Sequence, residues 1–121
     1  MFLLLEEEQV TKTGKKSKGE AKHAKLCEII KKELDSRGFD TIINVEYKSQ
    51  LDGEIDVVGF SDDGKYAIDV EVKCNDNYKA RTKAYDQLDR AEKYFHHFKN
   101  KRLFKMYAFY NESNYTLQWY N

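Results

Sequence analysis

Residues 53–73 read GEIDVVGFSDDGKYAIDVEVK and contain the clearest structural pattern of the chain. Two runs rich in β-branched and aromatic residues, Glu54–Phe60 and Tyr66–Lys73, flank the polar turn Ser61–Gly64. Short apolar runs separated by a few turn-forming residues are typical of a β-hairpin. The sequence therefore predicts two antiparallel strands around which the rest of the domain is organised.

The second predicted strand carries a row of charges. Successive side chains of a strand point to opposite faces, so Asp69, Glu71 and Lys73 share one face and the apolar residues between them share the other. Charged groups on such a strand cost free energy unless they bind something. We therefore expect the functional residues here. A surface hairpin with exposed ion pairs is the alternative interpretation.

Length and composition predict a single charge-rich domain. The chain has 121 residues, of which 40% are hydrophobic and 35% are charged, and it contains no proline. The apolar run Phe2–Leu5 is too short to span a membrane, and no signal-peptide pattern is present. Without an export signal, Cys27 and Cys74 are expected to be reduced thiols of a cytoplasmic protein, or of a viral protein in the host-cell cytoplasm.

Charges of the two signs balance, with 21 Lys and Arg against 21 Asp and Glu, but they are unevenly distributed. Basic residues predominate in 11–32 and 73–105, and acidic residues predominate in 33–71. This distribution suits an acidic site that holds cations within surfaces that hold a polyanion such as DNA. A solvated charge-rich surface is the alternative. The sequence predicts a flexible basic arm (1–18) that precedes the domain (19–121). The predicted DNA-binding residues of the arm are Lys12, Lys15, Lys16 and Lys18. Those near the second helix are Lys79, Arg81 and Lys83.

Hydrophobic spacing predicts the remaining elements. Leu26, Ile30 and Leu34 recur every four residues, which predicts a helix over 19–37 that ends at Gly38. The other predicted elements are a strand at 39–47, the hairpin strands at 54–60 and 66–73, a helix at 80–99, and strands at 102–111 and 115–120. The order α-β-β-β-α-β-β predicts an α/β domain with a mixed β-sheet flanked by helices.

Asp56 and Glu71 are the candidate metal ligands. They lie on neighbouring predicted strands, where repulsion between converging carboxylates raises a pKa unless a cation lies between them. Mg²⁺, or Mn²⁺ in its place, prefers oxygen ligands of this kind. Lys73 lies two residues beyond Glu71 on the same face, about 7 Å along the strand, from where its ammonium can reach a phosphate oxygen. The pattern indicates metal-assisted hydrolysis of a phosphodiester.

The same residues carry a resemblance to a nuclease superfamily. The chain resembles the PD-(D/E)xK nucleases in the spacing of its motif: fourteen residues separate Asp56 from Glu71-Val72-Lys73. The first helix also fits, since it opens with Lys18-Gly19-Glu20. The resemblance covers residues 18–110 and is greatest to the Holliday-junction resolvases of archaea and archaeal viruses and to small bacterial nuclease-related domains. Ile55 stands where the superfamily motif has proline, and the spacing between the two acids is slightly longer than in compact resolvases.

This resemblance implies a restriction-endonuclease-like fold and an endonuclease, dependent on Mg²⁺ or Mn²⁺, that acts on DNA in recombination and repair. At its most specific it implies a homodimeric Holliday-junction resolvase, since two symmetric strands are cut and a twofold dimer supplies two sites. The implied metal ligands are Asp56, Glu71 and the backbone carbonyl of Val72, and the implied catalytic lysine is Lys73.

The superfamily also places a glutamate on the first helix and, in many members, a polar residue on the second. Glu20 and Glu28 are the candidates for the glutamate, and Glu20 is preferred because it lies nearer the apolar face of the predicted helix. Gln87 matches the polar residue and is expected to hold a water molecule or a phosphate.

The sequence leaves alternative interpretations open for Asp69, for His23 and for the function. Asp69 is either an additional acid of the metal site or a solvated strand residue, and His23 is interpreted as a core or cleft histidine rather than a ligand. The aromatic C-terminal end, including Tyr107 and Trp119, predicts core packing and a homodimer interface. The alternative functions are a nuclease for single-stranded, flap or end DNA, and a non-catalytic DNA-binding module that has kept the fold.

Overall fold

The computed structural model describes residues 18–48, 53–111 and 114–120. Within these ranges the elements follow the predicted order α-β-β-β-α-β-β, so the predicted α/β class is confirmed. They are α1 (Lys18–Ser36), β1 (Asp40–Tyr47), β2 (Gly53–Phe60), β3 (Tyr66–Lys73), α2 (Tyr78–Tyr94), β4 (Arg102–Asn111) and β5 (Asn114–Tyr120). A π-helical turn, Phe95–Lys99, continues α2.

The predicted basic arm lies almost wholly outside the described residues. Lys12, Lys15 and Lys16 fall outside them, and Lys18 is the first residue of α1. Of the helices that the structure describes, none has both the length and the apolar composition needed to cross a membrane.

Local capping explains where the helices begin and end. Gly38 adopts a left-handed conformation (φ 92°) after α1, and its amide nitrogen donates to the Asp35 carbonyl oxygen. Glycine reaches this conformation without a Cβ clash, which makes it a common helix terminator. α2 begins two residues earlier than predicted because the Asn77 side chain accepts a hydrogen bond from the Ala80 amide nitrogen at 2.7 Å. A cap of this kind contributes about 1 kcal/mol to stability.

The five strands form one mixed sheet in the order β1-β2-β3-β4-β5. All neighbours are antiparallel except β3 and β4, which are parallel. Parallel neighbours need a long crossover connection, and α2 supplies it. Residues 53–73 therefore lie in the middle of the sheet, with β1 beside β2 and β4 beside β3.

The two helices cover opposite faces of the sheet. Leu26, Ile30 and Leu34 of α1 pack against one face, in a cluster that includes Val70 and Val72 of β3. Ala91, Tyr94 and Phe95, at the end of α2, belong to a second cluster on the other face. Asp69 and Glu71 alternate with Val70 and Val72, so they point to the side that α2 covers.

β1 and β2 are both irregular at one position, where side chains two residues apart point to opposite faces of the sheet. The cross-strand pair Ile43 and Val57 lies on the α1 side of the sheet. The next cross-strand pair, Val45 and Ile55, lies in the cluster on the α2 side. Residues two apart in a regular strand stay on the same face, so the chain reverses its faces between them. Asn44 has a left-handed conformation (φ 54°) at this point, and Asp56 lies opposite the reversal in β2. The irregularity therefore lies beside a predicted catalytic residue.

Candidate active site

Asp56 and Glu71 are connected across β2 and β3 by their own side chains. The recorded β2–β3 pairing ends at Val57 and Val70. Beyond it, the Val72 amide nitrogen donates to Asp56 Oδ2 at 2.8 Å, and the Asp56 amide nitrogen lies 3.4 Å from Glu71 Oε2. Each carboxylate thus accepts a hydrogen bond from a backbone amide of the strand that carries the other. These contacts fix both acids where the backbone pairing of β2 and β3 ends.

Lys73 lies at the same end of β3, and α2 holds its side chain. Its Nζ donates to Gln87 Oε1 at 2.9 Å. Gln87 is neutral, so the contact fixes the ammonium without compensating its charge. Within the described residues no carboxylate lies within 4.0 Å of Lys73 Nζ. The Lys73 ammonium therefore forms a hydrogen bond to Gln87 but no ion pair with a carboxylate of the described residues.

Asp69 and Glu71 are both fully buried beneath α2. The interpretation of Asp69 as a solvated strand residue is wrong, because α2 covers the face on which it lies. Both Asp69 carboxylate oxygens and Glu71 Oε1 have no hydrogen-bond donor among the described residues. Burial without a donor leaves these acids dependent on a bound proton or cation.

Burial raises the pKa of Asp69 and that of Glu71 well above their usual values. For Glu71 the charges of Asp56 and Asp69 raise the pKa further. For Asp69 the charge of Asp56 acts in the same direction, and the proximity of the Glu71 carboxyl group opposes it. The acids consequently hold protons at a pH where isolated carboxylates are ionised, until a cation compensates their charge.

The residue of α1 that contacts Asp56 is His23. Its Nε2 lies 3.4 Å from Asp56 Oδ2, and its Nδ1 lies 3.8 Å from Cys27 Sγ. The hydrogen bond to Asp56 raises the pKa of His23, which partial burial opposes. His23 is thus a cleft histidine that touches a predicted metal ligand. Its position on the apolar face of the helix was the sequence signal for this placement.

Glu20 and Glu28, the two candidates from the first helix, both have exposed side chains. No three His, Cys, Asp or Glu side chains in the described part of the chain come together as a group able to hold a metal ion.

The remaining donor set nevertheless fits Mg²⁺. Asp56 Oδ1 accepts no hydrogen bond from the described residues, and the buried Glu71 Oε1 has no donor. Mg²⁺ typically binds one or two carboxylates and completes its coordination with water and substrate phosphate. Two carboxylates with free oxygens at the end of a ladder meet that requirement.

The predicted DNA-binding residues of α2 differ in their availability. Lys79 and Lys83 are exposed. Arg81 donates two hydrogen bonds to Asp76, from Nε to Oδ1 at 2.9 Å and from Nη2 to Oδ2 at 3.1 Å. Asp76 also accepts a hydrogen bond from the Tyr107 hydroxyl at 3.1 Å. The charge of Arg81 is thus compensated within the chain, a pairing that the basic pattern alone did not indicate.

Among solved structures, the chain is similar to a repair endonuclease from Pyrococcus abyssi, with a TM-score of 0.46 and 19% sequence identity. The alignment covers 78% of this chain and 39% of that chain. No protein-family model matches the chain, and no curated protein matches it. A similarity of this size does not bear on the residues of the site or on the reaction.

Proposed function

We propose that the chain is a metal-dependent nuclease that hydrolyses DNA phosphodiester bonds at Asp56, Glu71 and Lys73. The observation that carries the proposal is the interlocked pair of carboxylates across β2 and β3, with the uncompensated ammonium of Lys73 at the same end of the strand. Acid pairs beside a fixed cationic side chain are suited to phosphoryl transfer, in which negative charge develops on non-bridging oxygens.

The residues that would hold Mg²⁺ or Mn²⁺ are Asp56, Glu71 and the carbonyl of Val72. When bound, the metal would lower the pKa of an attacking water and stabilise charge on the phosphoryl oxygens. Lys73 neutralises developing charge on the phosphate, and Gln87 keeps its ammonium in place. His23 orients the Asp56 carboxylate through its Nε2.

The most specific form of the proposal is a homodimeric Holliday-junction resolvase. Exposed Lys79 and Lys83 lie at the beginning of α2, which follows the active-site strand by a short loop, and they offer phosphate contacts beside the acids. A resolvase cuts two symmetric strands, and a twofold dimer would supply one site for each. β5 lies at the edge of the sheet and is available for such a contact.

A nuclease that acts on single-stranded, flap or end DNA is the second candidate, since the same three residues would serve it. A non-catalytic DNA-binding module is the third. The unpaired oxygens of the buried acids disfavour this third candidate, because a binding module gains nothing from their free-energy cost.

A panel of DNA substrates tests the proposal. The parent protein is incubated with a four-way junction, a flap, a linear duplex and a single strand, with Mg²⁺ or with a chelator. We expect cleavage only with the metal, and paired nicks in the junction arms for a resolvase. Cleavage of flaps or single strands alone would favour the second candidate. Cleavage that persists in the chelator would contradict the metal mechanism, and binding without cleavage of any substrate would favour the module.

A further inference from the structure

A second charged region lies at the opposite end of the sheet from the acids. A groove of about 520 Å³ lies between the end of α2, the first residues of β4 and the end of β5, and we refer to it as the β4–β5 groove. Arg102, at its edge, pairs with Tyr66, while Glu71 pairs with Tyr107 five residues further along β4. At about 3.3 Å per residue, Arg102 lies about 16 Å along β4 from the level of Glu71, and Lys105, the lining residue of β4 nearest that level, lies about 7 Å from it. Asp56, Glu71 and Lys73 are not among the residues that line the groove.

The basic side chains of this groove outnumber its acids. Those that line it in addition to Lys105 are Lys93, His96, His97, Lys101 and Arg102. Glu92 is the acidic residue among the described lining residues, and its Oε1 accepts a hydrogen bond from Lys105 Nζ at 2.8 Å. Lys105 also binds Asp89 at 3.2 Å and is only 11% exposed. Lys105, Glu92 and Asp89 together carry one net negative charge, so they contribute no positive charge to the groove.

The other cationic side chains of the groove form no ion pair with a carboxylate of the described residues. The Lys101 ammonium donates to the Gly64 carbonyl oxygen, and the Arg102 guanidinium lies 4.9 Å from the centre of the Phe104 ring. Neither contact involves a carboxylate, and in the described part of the chain no carboxylate lies within 4.0 Å of Lys93. The side chains of Lys93 and Arg102 are exposed. Three uncompensated cations around one groove attract a polyanion.

Trp119 distinguishes the groove from a site for free phosphate. It is the single tryptophan of the chain, lines the groove, is 57% exposed, and contacts the Phe104 ring at a centroid distance of 6.3 Å. An exposed aromatic ring beside uncompensated cations is the combination with which proteins bind unpaired nucleic acid, because a base stacks on the ring while the cations follow the backbone. A duplex keeps its bases stacked on one another and cannot offer that contact.

We propose that the β4–β5 groove binds an unpaired strand of nucleic acid, with Lys93, Lys101 and Arg102 on the phosphates and Trp119 stacked on a base. This inference goes beyond the proposed nuclease activity, since it needs neither the metal nor the acids. If both hold, a strand bound at Arg102 extends about 16 Å along β4 to reach the level of Glu71, so one nucleic acid can occupy both regions.

Fluorescence of the single tryptophan tests the proposal directly. The Glu71→Gln protein is titrated with a short oligothymidylate in the presence of a chelator, so that no cleavage interferes. We expect the emission of Trp119 to be quenched as the oligonucleotide binds. In parallel, anisotropy of a labelled oligothymidylate measures affinity: Trp119→Ala should weaken binding about fivefold or more, and Trp119→Phe should retain most of it.

Salt dependence tests the cations. In the Lys93→Ala/Arg102→Ala variant, the slope of log affinity against log salt concentration should fall by about 1.4, which is about 0.7 for each single-strand phosphate contact. The matched control is Lys25→Ala/Lys32→Ala, which removes two exposed lysines of α1 and should leave both the slope and the quenching close to those of the parent.

Four results would overturn the proposal: oligonucleotide binding that leaves Trp119 emission unchanged, equal slopes for the two double variants, equal competition by duplex DNA, and emission that depends on protein concentration without nucleic acid. The last would assign the groove to a contact between copies of the chain. None of these results concerns cleavage, so this proposal and the nuclease proposal can fail independently.

Discussion

Asp56 accepts a hydrogen bond from the amide nitrogen of Val72 at 2.8 Å, and this contact joins β2 to β3 where their backbone pairing has ended. The amide nitrogen of Asp56 in turn approaches Glu71 Oε2. Each carboxylate therefore binds a backbone amide of the strand that carries the other, and together they hold the ends of β2 and β3 in place.

The contact between Gln87 and Lys73 predicts that Gln87 positions the lysine. Replacement of Gln87 by alanine should lower the single-turnover cleavage rate about tenfold, since a hydrogen bond to a charged group is lost. DNA affinity and the circular dichroism spectrum should change little. Gln118→Ala, an exposed glutamine of β5, is the matched control. A rate for Gln87→Ala equal to that of the control would show that Lys73 is positioned without Gln87.

The buried acids predict an unusual dependence of stability on pH. Because the pKa of Asp69 and that of Glu71 are raised in the folded state, the folded protein binds protons that the unfolded chain does not bind. The free energy of unfolding in a chelator should therefore increase as the pH falls from about 8 to about 5, above the unfolded carboxyl pKa values of about 4. His23, whose pKa is also raised, acts in the same direction.

Denaturant unfolding of the parent and of Asp69→Asn across this range isolates the contribution of the buried acid. Asparagine has nearly the same shape and does not titrate, so the variant should be more stable at about pH 8 and should show a shallower slope. The parent and the variant should converge toward about pH 5. Parallel stability curves would indicate that Asp69 is ionised and compensated by another group.

Metal should relieve the cost of the buried charges. At a tenfold excess of Mg²⁺ over its Kd, the melting temperature of the parent should rise by about 5 °C, since ligand binding to the folded state adds about 1.4 kcal/mol. Asp56→Asn should lose most of this rise, and Glu54→Gln, an exposed carboxylate two residues away on β2, should keep it. An equal rise in all three proteins would place the metal elsewhere.

The hairpin and its acids were predictable because their signals are local. Alternation along β3 placed Asp69, Glu71 and Lys73 on one face, and the strand order brought Asp56 to the neighbouring strand. The burial of Asp69 was not predictable in this way, because it depends on which face α2 covers, and that follows from a crossover connection rather than from the strand itself.

The contact of His23 with Asp56 was equally hard to predict. Helical spacing identifies the apolar face of α1, but it does not fix the rotation and translation of the helix over the sheet, which decide whether His23 or a glutamate meets the acid pair. The reversal of faces at Asn44 and Asp56 adds to this difficulty. It breaks the period of two that strand predictions assume, so the orientation of Asp56 relative to its neighbours could not be read from alternation.

The most direct measurement is the single-turnover rate at which Glu71→Gln cleaves a four-way junction in Mg²⁺, beside the parent and Glu54→Gln. The substitution preserves the shape of a fully buried side chain, and circular dichroism and DNA affinity report whether the fold and binding survive. We expect the rate of Glu71→Gln to fall at least about a hundredfold with binding retained, as for loss of a group that stabilises the transition state. The rate of Glu54→Gln should stay close to that of the parent. A Glu71→Gln protein that cleaves the junction as fast as the parent would contradict the assignment of this site.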